Sequence, residues 1–179
     1  AHFATRAKGR HAHAHADARH DQRRQRRPVR QCSAGNGGDT VIVEAKPDVV
    51  ISCIASRSGS PKDAQAVDYA ANLALLDAAK AAGAGQFILL SAICVQKPSL
   101  AFQHAKLAFE AKLIASGIGY TIIRPTAFFK SLSGQVKRVQ AGKPFLIFGD
   151  GNLTRCKPIS DADLARFITG CIANPDALG

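Results

Sequence analysis

The stretch that decides the fold is residues 89–113, "LLSAICVQKPSLAFQHAKLAFEAKL". An apolar run ends in Ser91, a loop containing Pro98 follows, and a helical pattern then places Phe102 and Lys106 four residues apart. A strand, a loop and a helix in this order are typical of an α/β unit, in which helices cover the faces of a sheet. The stretch therefore predicts a strand over Phe87 to Leu90 and a helix over residues 99–116, which ends at Gly117.

The same alternation continues on both sides of this stretch. A β-branched run from Val49 to Ile54 predicts a buried strand, and "DAQAVDYAANLALLDAAKAAG" predicts a helix that stops at Gly83. "GYTIIRP" predicts a strand closed by Pro125, and "DADLARFITGCI" predicts a helix capped by Ser160, with Asp163 at its third position. This order of elements predicts an α/β fold with a Rossmann-like, doubly wound parallel sheet.

The first βαβ unit of such a fold is expected to carry a glycine-rich phosphate turn. The candidate is "GNGG", Gly35 to Gly38, but it follows no apolar run and is expected to open no helix, so we interpret it as a linker. The N-terminal βαβ unit is therefore expected to be missing or replaced. The chain contains no methionine, which is expected of a fragment.

Charge is concentrated at the N-terminus. Residues 1–31 hold eight arginines and Lys8 against Asp17 and Asp21, which is +7 of the chain's net +11. With few large apolar residues, residues 1–40 are predicted to be a basic, His/Arg-rich disordered segment, and residues 41–179 a partial NAD(P)-binding domain. A plastid targeting segment and a misread segment remain alternatives for this part of the chain.

The cysteine spacing argues against a metal site, and the length of the apolar runs argues against a membrane-spanning helix. The five cysteines are scattered without a CxxC pair, so free thiols and no metal site are expected. No apolar run approaches the roughly 18 residues that a membrane-spanning helix needs.

Five blocks of sequence resemble the 8-vinyl reductases of chlorophyll synthesis, which are atypical short-chain dehydrogenase/reductases close to the NmrA-like and isoflavone-reductase-like groups. The blocks are "SCIASRSG", "FILLSAICVQKP", "FQHAKLAFEAKL", "IRPTAFFKSLSGQV" and "GKPFLIFGDGNLTRCKPISDADLA". The resemblance covers residues 47–175. It implies NADPH as cofactor, a tetrapyrrole substrate (divinyl chlorophyllide or protochlorophyllide), reduction of its 8-vinyl group to ethyl, and a chloroplast location. Peripheral association with plastid membranes is a further expectation, and nucleic acid is not expected as a partner.

Many reductases of the wider superfamily carry a YxxxK pair on this helix, and here Phe102 stands where the tyrosine would be. The resemblance implies that Lys106 is catalytic and holds the nicotinamide ribose. Reduction of a vinyl group has no carbonyl oxygen to protonate, so loss of the phenol suits that reaction. The alternative is that Lys106 is a solvated helix lysine paired with Glu110, four residues on.

Other candidate residues follow the strand ends, where ligands of parallel sheets bind. Ser91 is a second catalytic candidate, and Gln103 and His104 are open alternatives as proton donor. Phe102 and Phe129 are expected to contact the tetrapyrrole, although a role in the core is the alternative for such residues. Predicted cofactor-binding residues are Ala55, Ser56, Ser91, Lys106, Pro125, Thr126 and Phe128.

Two functions outside this enzyme class stay open. An NmrA-like sensor or assembly factor that binds a dinucleotide without chemistry would also explain the missing tyrosine. Nucleic-acid binding through the basic segment ranks last, because no aromatic residues interleave its arginines as they do in many nucleic-acid-binding segments.

Overall fold

The computed structural model describes residues 38–147, 150, 157–172 and 174–179, with side chains from Ile42 onward. Apart from residues 38–40, the predicted disordered segment lies outside this range, as do Cys32 and Cys156. No helix in the described residues is long and apolar enough to cross a membrane.

Three parallel strands form the sheet: β1 (Val49–Ser52), β2 (Gln86–Leu90) and β3 (Gly119–Ile123). They lie in sequence order, with β2 in the centre. The predicted α/β class and parallel sheet are therefore confirmed. β1 ends at Ser52, two residues earlier than predicted, and beyond it the carbonyl of Ile54 accepts a hydrogen bond from Nζ of Lys106.

A helix, α1 (Gly38–Ala45), precedes β1. The expectation that the "GNGG" stretch opens no helix is therefore wrong for Gly38, while Gly35 to Gly37 lie outside the described residues. The β-branched residues of "TVIVEA" favour a strand locally, but Ile42 is buried against the core as part of a helix. Tertiary packing has overridden local propensity here.

The helical run α2 follows β1 and joins three pieces, Pro61–Asp63, a π-helical stretch Ala64–Ala71, and Asn72–Ala81. It begins where the Ser60 hydroxyl accepts a hydrogen bond from the Asp63 amide at 3.3 Å, with proline at the first helical position. It ends before Gly83, whose positive φ of 75° suits a residue without Cβ. The C-terminal end agrees with the sequence pattern, whereas the helix begins at Pro61, two residues before the predicted stretch that opens with Asp63. The pattern does not predict the π-helical stretch.

The helix α3 (Ala101–Ile114) follows β2. Its start is capped by the Gln103 side chain, whose oxygen accepts hydrogen bonds from the amides of Ser99 at 2.9 Å and Leu100 at 3.0 Å. Gly117, with φ of 78°, follows its last turn, as predicted.

The chain beyond β3 is helical in part. A 3₁₀ turn (Phe129–Leu132) leads into α4 (Ser133–Gln140), and α5 (Asp161–Gly170) precedes a last 3₁₀ turn (Pro175–Ala177). The cap at Ser160 is confirmed, since its hydroxyl accepts a hydrogen bond from the Asp163 amide at 3.0 Å. The first turn and α4 have no counterpart in the sequence prediction.

The core lies on both faces of β2, whose residues point alternately to either side. Phe87 and Leu89 face a cluster built with α1, α2 and α3, in which the rings of Phe87 and Phe109 pack at 6.0 Å. Ile88 faces a second cluster built with α5. The apolar run from Phe87 to Leu90 is thus explained by helices on both sides of the sheet.

Candidate functional site

The carboxyl ends of the three strands meet at one edge of the sheet, as expected for parallel strands. The amide of Ser91, just past β2, donates to the carbonyl of Ile123 at 2.7 Å. Two residues on, the amide of Ile93 donates to the carbonyl of Pro125 at 3.2 Å. Backbone hydrogen bonds therefore join the segments that follow β2 and β3. They bring the predicted site residues Ser91 and Pro125 to the same edge of the sheet.

Lys106 is buried at this edge, with 5% of its surface exposed. Its Nζ lies 3.0 Å from Oδ1 of Asp68 and 3.4 Å from the carbonyl oxygen of Ile54. The alternative of a solvated lysine paired with Glu110 is therefore wrong. An ammonium group has three donors, so one donor of Lys106 remains beyond these two partners.

Asp68, which pairs with Lys106, is a residue of this candidate site that the sequence analysis missed. It lies in the π-helical stretch of α2, is only 1% exposed, and its Oδ1 also accepts a hydrogen bond from the Ser56 amide at 3.4 Å. π-helical turns are rare and often occur at functional sites. The available signal was a pair of polar residues, Asp68 and Asn72, on an otherwise apolar helix face.

Asn72 braces this stretch against β1. The Ser52 hydroxyl donates to Oδ1 of Asn72 at 2.5 Å. The Asn72 amide nitrogen in turn donates to the backbone carbonyls of Val67 at 3.2 Å and Asp68 at 3.1 Å. All these groups are buried or partly buried, so satisfied polar contacts fix the backbone that carries the Asp68 carboxylate.

A second buried charge on α3 is also paired. The Glu110 carboxylate is 1% exposed and receives two hydrogen bonds from the guanidinium of Arg124, one of them from Nε at 3.1 Å. These bonds raise the pKa of Arg124 above its ordinary value, while burial opposes the rise. Arg124 follows β3 directly, so the pair fixes the end of that strand beside α3.

Two buried side-chain oxygens have no hydrogen-bond partner within the described part of the chain. They are Oγ of Ser91 and Oδ2 of Asp68. Buried polar atoms of this kind are normally satisfied, so each is a place for a water or a ligand. Ser91 thus lies beside the strand ends, with a buried hydroxyl that no described residue engages.

The remaining predicted cofactor residues lie along the loops at this edge. Ala55 is exposed and Ser56 partly buried in the loop after β1. Thr126 is exposed, and its hydroxyl donates to the carbonyl of Lys157. Phe128 is partly buried and packs on the cluster beside α5, which favours a role in the core.

The residues predicted to contact the tetrapyrrole or to donate a proton differ in how exposed their side chains are. Phe102 is partly buried, whereas Phe129 is 55% exposed. The Gln103 side chain is occupied in capping α3, and His104 lies on the exposed side of that helix. Neither of the last two is placed with Lys106, which disfavours both as proton donors.

Cys53, the first residue after β1, lies close enough to Lys106 for the two to interact electrostatically. Burial raises the pKa of the Cys53 thiol, and the Lys106 ammonium opposes that rise. Cys53, Cys94 and Cys171 are all free thiols. No three side chains of the kinds that ligate metals come together among the described residues.

A surface depression of about 720 Å³ lies elsewhere, between β3 and α5. Its lining includes Thr121, Arg166, Phe167 and Asp176, and it does not reach Lys106 or Ser91. The convergence of buried charge at the strand ends is a stronger sign of a site than this open depression.

The model of a family described as NAD(P)H-binding matches residues 2–175, nearly the whole chain. The chain belongs to the NAD(P)H-binding family. The Lys106 site thus lies at the strand ends of an NAD(P)H-binding fold, where such folds bind their ligands.

Relatives of this NAD(P)H-binding chain include a divinyl chlorophyllide a 8-vinyl-reductase, chloroplastic, of Cucumis sativus. It is 56% identical over 136 residues, which is 73% of this chain and 32% of the relative. The photosystem II assembly factor Ycf39 of Guillardia theta is 27% identical over 137 residues, 73% of this chain and 43% of the relative. The resemblance stated from the sequence blocks is confirmed, and the chain spans about a third of the length of the curated reductases it matches.

A nucleoside-diphosphate-sugar epimerase of Staphylococcus aureus shares the fold of this NAD(P)H-binding chain. Its crystal structure superposes with a TM-score of 0.66 and 26% identity, over 84% of this chain and 52% of the other. The Rossmann-like architecture predicted from the sequence is thereby confirmed.

Proposed function

We propose that this chain is part of an NADPH-dependent oxidoreductase that reduces the 8-vinyl group of divinyl chlorophyllide or protochlorophyllide to ethyl. The observation that carries the proposal is the buried Lys106 at the strand ends, on a helix where Phe102 replaces the usual tyrosine. The 56% sequence identity to the Cucumis sativus reductase supports the proposal. The named activity is that of the Cucumis sativus reductase, about a third of whose length this chain matches.

The absence of a phenol beside Lys106 fits this chemistry. Reducing a carbonyl requires an acid at the developing alkoxide, which is the role of the tyrosine in a YxxxK pair. Reducing a vinyl group adds a hydride to one carbon and a proton to the other, and the conjugated macrocycle delocalises the intermediate charge. The lysine is then left with a binding role, for which a buried and paired ammonium is suited.

The residues present fit a nicotinamide dinucleotide. The remaining donor of Lys106 would bond a ribose hydroxyl, and the unpartnered hydroxyl of Ser91 would accept or donate a second bond. The loop with Ala55 and Ser56 would contact the same cofactor from β1, and Pro125 and Thr126 would do so from β3. When bound, NADPH supplies the hydride.

The tetrapyrrole would meet aromatic surface near this edge. Phe102 lies one turn before Lys106 on α3, and Phe129 is exposed just beyond β3. Flat aromatic faces and low polarity suit a conjugated macrocycle. Chloroplast location and peripheral association with plastid membranes accompany this proposal, the first because the similar reductase is named chloroplastic.

The experiment is an absorbance assay of divinyl chlorophyllide with NADPH. It uses this chain and a version joined to a complete glycine-rich βαβ unit, each with Lys106 and with Lys106→Met. Turnover that depends on Lys106, in either protein, supports the proposal. Absence of turnover in both, with the fold intact by circular dichroism, contradicts it.

A dinucleotide-binding assembly factor is the second candidate function. The similarity to Ycf39, whose name describes a photosystem II assembly factor, favours it. The same samples distinguish the two, because NADPH binding measured by fluorescence without any turnover would favour the assembly factor.

A further inference from the structure

We propose that Asp68 is the positioning residue of this site, holding Lys106 and the loop after β1 in one arrangement. The inference rests on the proposed function for the claim that Lys106 faces the cofactor. The contacts of Asp68 with Lys106 and with the Ser56 amide are observed in this chain and do not depend on that function.

One carboxylate oxygen joins two parts of the site. Oδ1 of Asp68 lies 3.0 Å from Nζ of Lys106 and accepts from the Ser56 amide at 3.4 Å. Lys106 belongs to α3, and Ser56 belongs to the loop predicted to contact the cofactor. Moving or neutralising the carboxylate would therefore release both together.

Among the residues that the structure describes, Asp68 is the one anion paired with Lys106. Glu110, one turn further along α3, is fully engaged by Arg124. The loop after β1 contributes the Ile54 carbonyl, which accepts from the ammonium, and the Cys53 thiol, which interacts with it electrostatically, while α2 contributes Asp68. A lysine has a long flexible stem, so a buried ammonium needs a strong partner to keep one position.

Phe102 makes this anchor more important. In a YxxxK pair the tyrosine hydroxyl shares the surroundings of the lysine, whereas a phenyl ring donates and accepts no conventional hydrogen bond. Among the described residues, the polar partners of Lys106 come from α2 and from the loop after β1, and only Asp68 among them is charged. Asp68 thus provides a polar constraint from α2 that Phe102 on α3 cannot provide.

The thiol of Cys53 reports the position of the Lys106 ammonium without any cofactor. The ammonium lowers the pKa of Cys53 against the effect of burial, and only the thiolate reacts with an alkylating reagent. The experiment measures the iodoacetamide alkylation rate of Cys53 against pH, with peptides resolved by mass spectrometry. Cys94, which is exposed like Cys53, is the internal reference.

We expect Lys106→Met to slow Cys53 alkylation roughly three- to tenfold at pH 8, because the thiolate loses its cation. Asp68→Asn is expected to slow it in the same direction, because the unanchored ammonium leaves this place. The double variant should match Lys106→Met alone. Asp77→Asn, which removes an exposed carboxylate from the same helix, should leave the rate unchanged.

An unchanged or faster Cys53 rate in Asp68→Asn would overturn the proposal, as would a double variant slower than Lys106→Met. If Asp68→Asn does not fold, the smaller Asp68→Ser is measured with the same expectation. A parallel NADPH titration keeps the two proposals apart. If Asp68→Asn does not slow the alkylation of Cys53, the role of Asp68 is contradicted. If the alkylation rates change as expected but the wild-type chain binds no NADPH, only the proposed cofactor site is contradicted.

Discussion

Glu110 shows how a single buried charge depends on one partner. Its carboxylate is almost entirely buried, and Arg124 satisfies both of its oxygens while a third of the arginine side chain stays exposed. Removing the arginine leaves a buried acceptor without its donor, which costs more than an exposed pair is worth.

We therefore expect Arg124→Met to lower the free energy of unfolding by about 1–3 kcal/mol. Urea unfolding followed by circular dichroism would measure the change. Arg57→Met, at an exposed arginine, is the control and should change stability by less than about 0.5 kcal/mol. Equal midpoints for the two variants would show that Glu110 does not depend on Arg124.

At the same scale, the sequence identified Lys106 but could not identify its partner. Lys106 stands out because it holds the lysine position of the YxxxK pattern, four residues after Phe102. Asp68 carries no such mark, and its contact with Lys106 joins residues 38 positions apart through two packed helices. The burial of Asp68 also depends on a π-helical stretch, which hydrophobic spacing does not reveal.

At the scale of elements, the starts of β2 and β3 approach each other closely. A Cβ placed on Gly119 would lie 2.8 Å from the backbone oxygen of Gly85. The φ angle of Gly119 is not positive, so the requirement for glycine is one of space. Because the opposing atom is backbone, it cannot move aside as a side chain would.

Gly119→Ala is expected to destabilise the chain by about 1–3 kcal/mol, through displacement of β3 from β2. Thermal unfolding of this variant beside Gly134→Ala would test it. Gly134 lies in α4 with open space where a Cβ would point, so its substitution should be neutral or slightly stabilising. Similar melting temperatures for both variants would rule out the steric explanation.

The elements that the sequence predicted are those whose pattern and burial agree. β2 is apolar from Phe87 to Leu90 and buried on both faces, and Gly117, with its positive φ, follows the last turn of α3. α1 and α4 were missed for opposite reasons. α1 has residues of strand propensity that tertiary packing holds in a helix, and α4 buries none of its residues, so its apolar side chains give no core signal.

At the scale of the whole molecule, residues 129–147 form an apolar and basic surface segment. The segment contains no acidic residue and includes Lys130, Lys137, Arg138 and Lys143. Its exposed apolar side chains are Phe129, Leu132, Val136, Val139, Phe145, Leu146 and Ile147. Exposed apolar groups among cations suit an anionic membrane surface.

We expect the chain to float with anionic lipid vesicles, and Val136→Ser combined with Val139→Ser to reduce the bound fraction at least about twofold. Flotation in moderate salt would measure this. The basic segment at residues 1–31 is unchanged in the variants, so it does not contribute to a difference in the bound fraction. Phe167→Ser, which removes an exposed ring from α5, is the matched control. Equal flotation of all three proteins would assign binding to the basic segment instead.

The two buried charges of α3 also govern how that helix docks. Lys106 and Glu110 are one turn apart and would pair with each other in an isolated helix, yet in the fold each pairs with a residue outside α3. Sliding α3 by one turn would set Glu110 against Asp68, placing two carboxylates together away from water. The apolar face of α3 would tolerate such a slide better than its charges would, so the charges select a single register for the helix that carries Lys106.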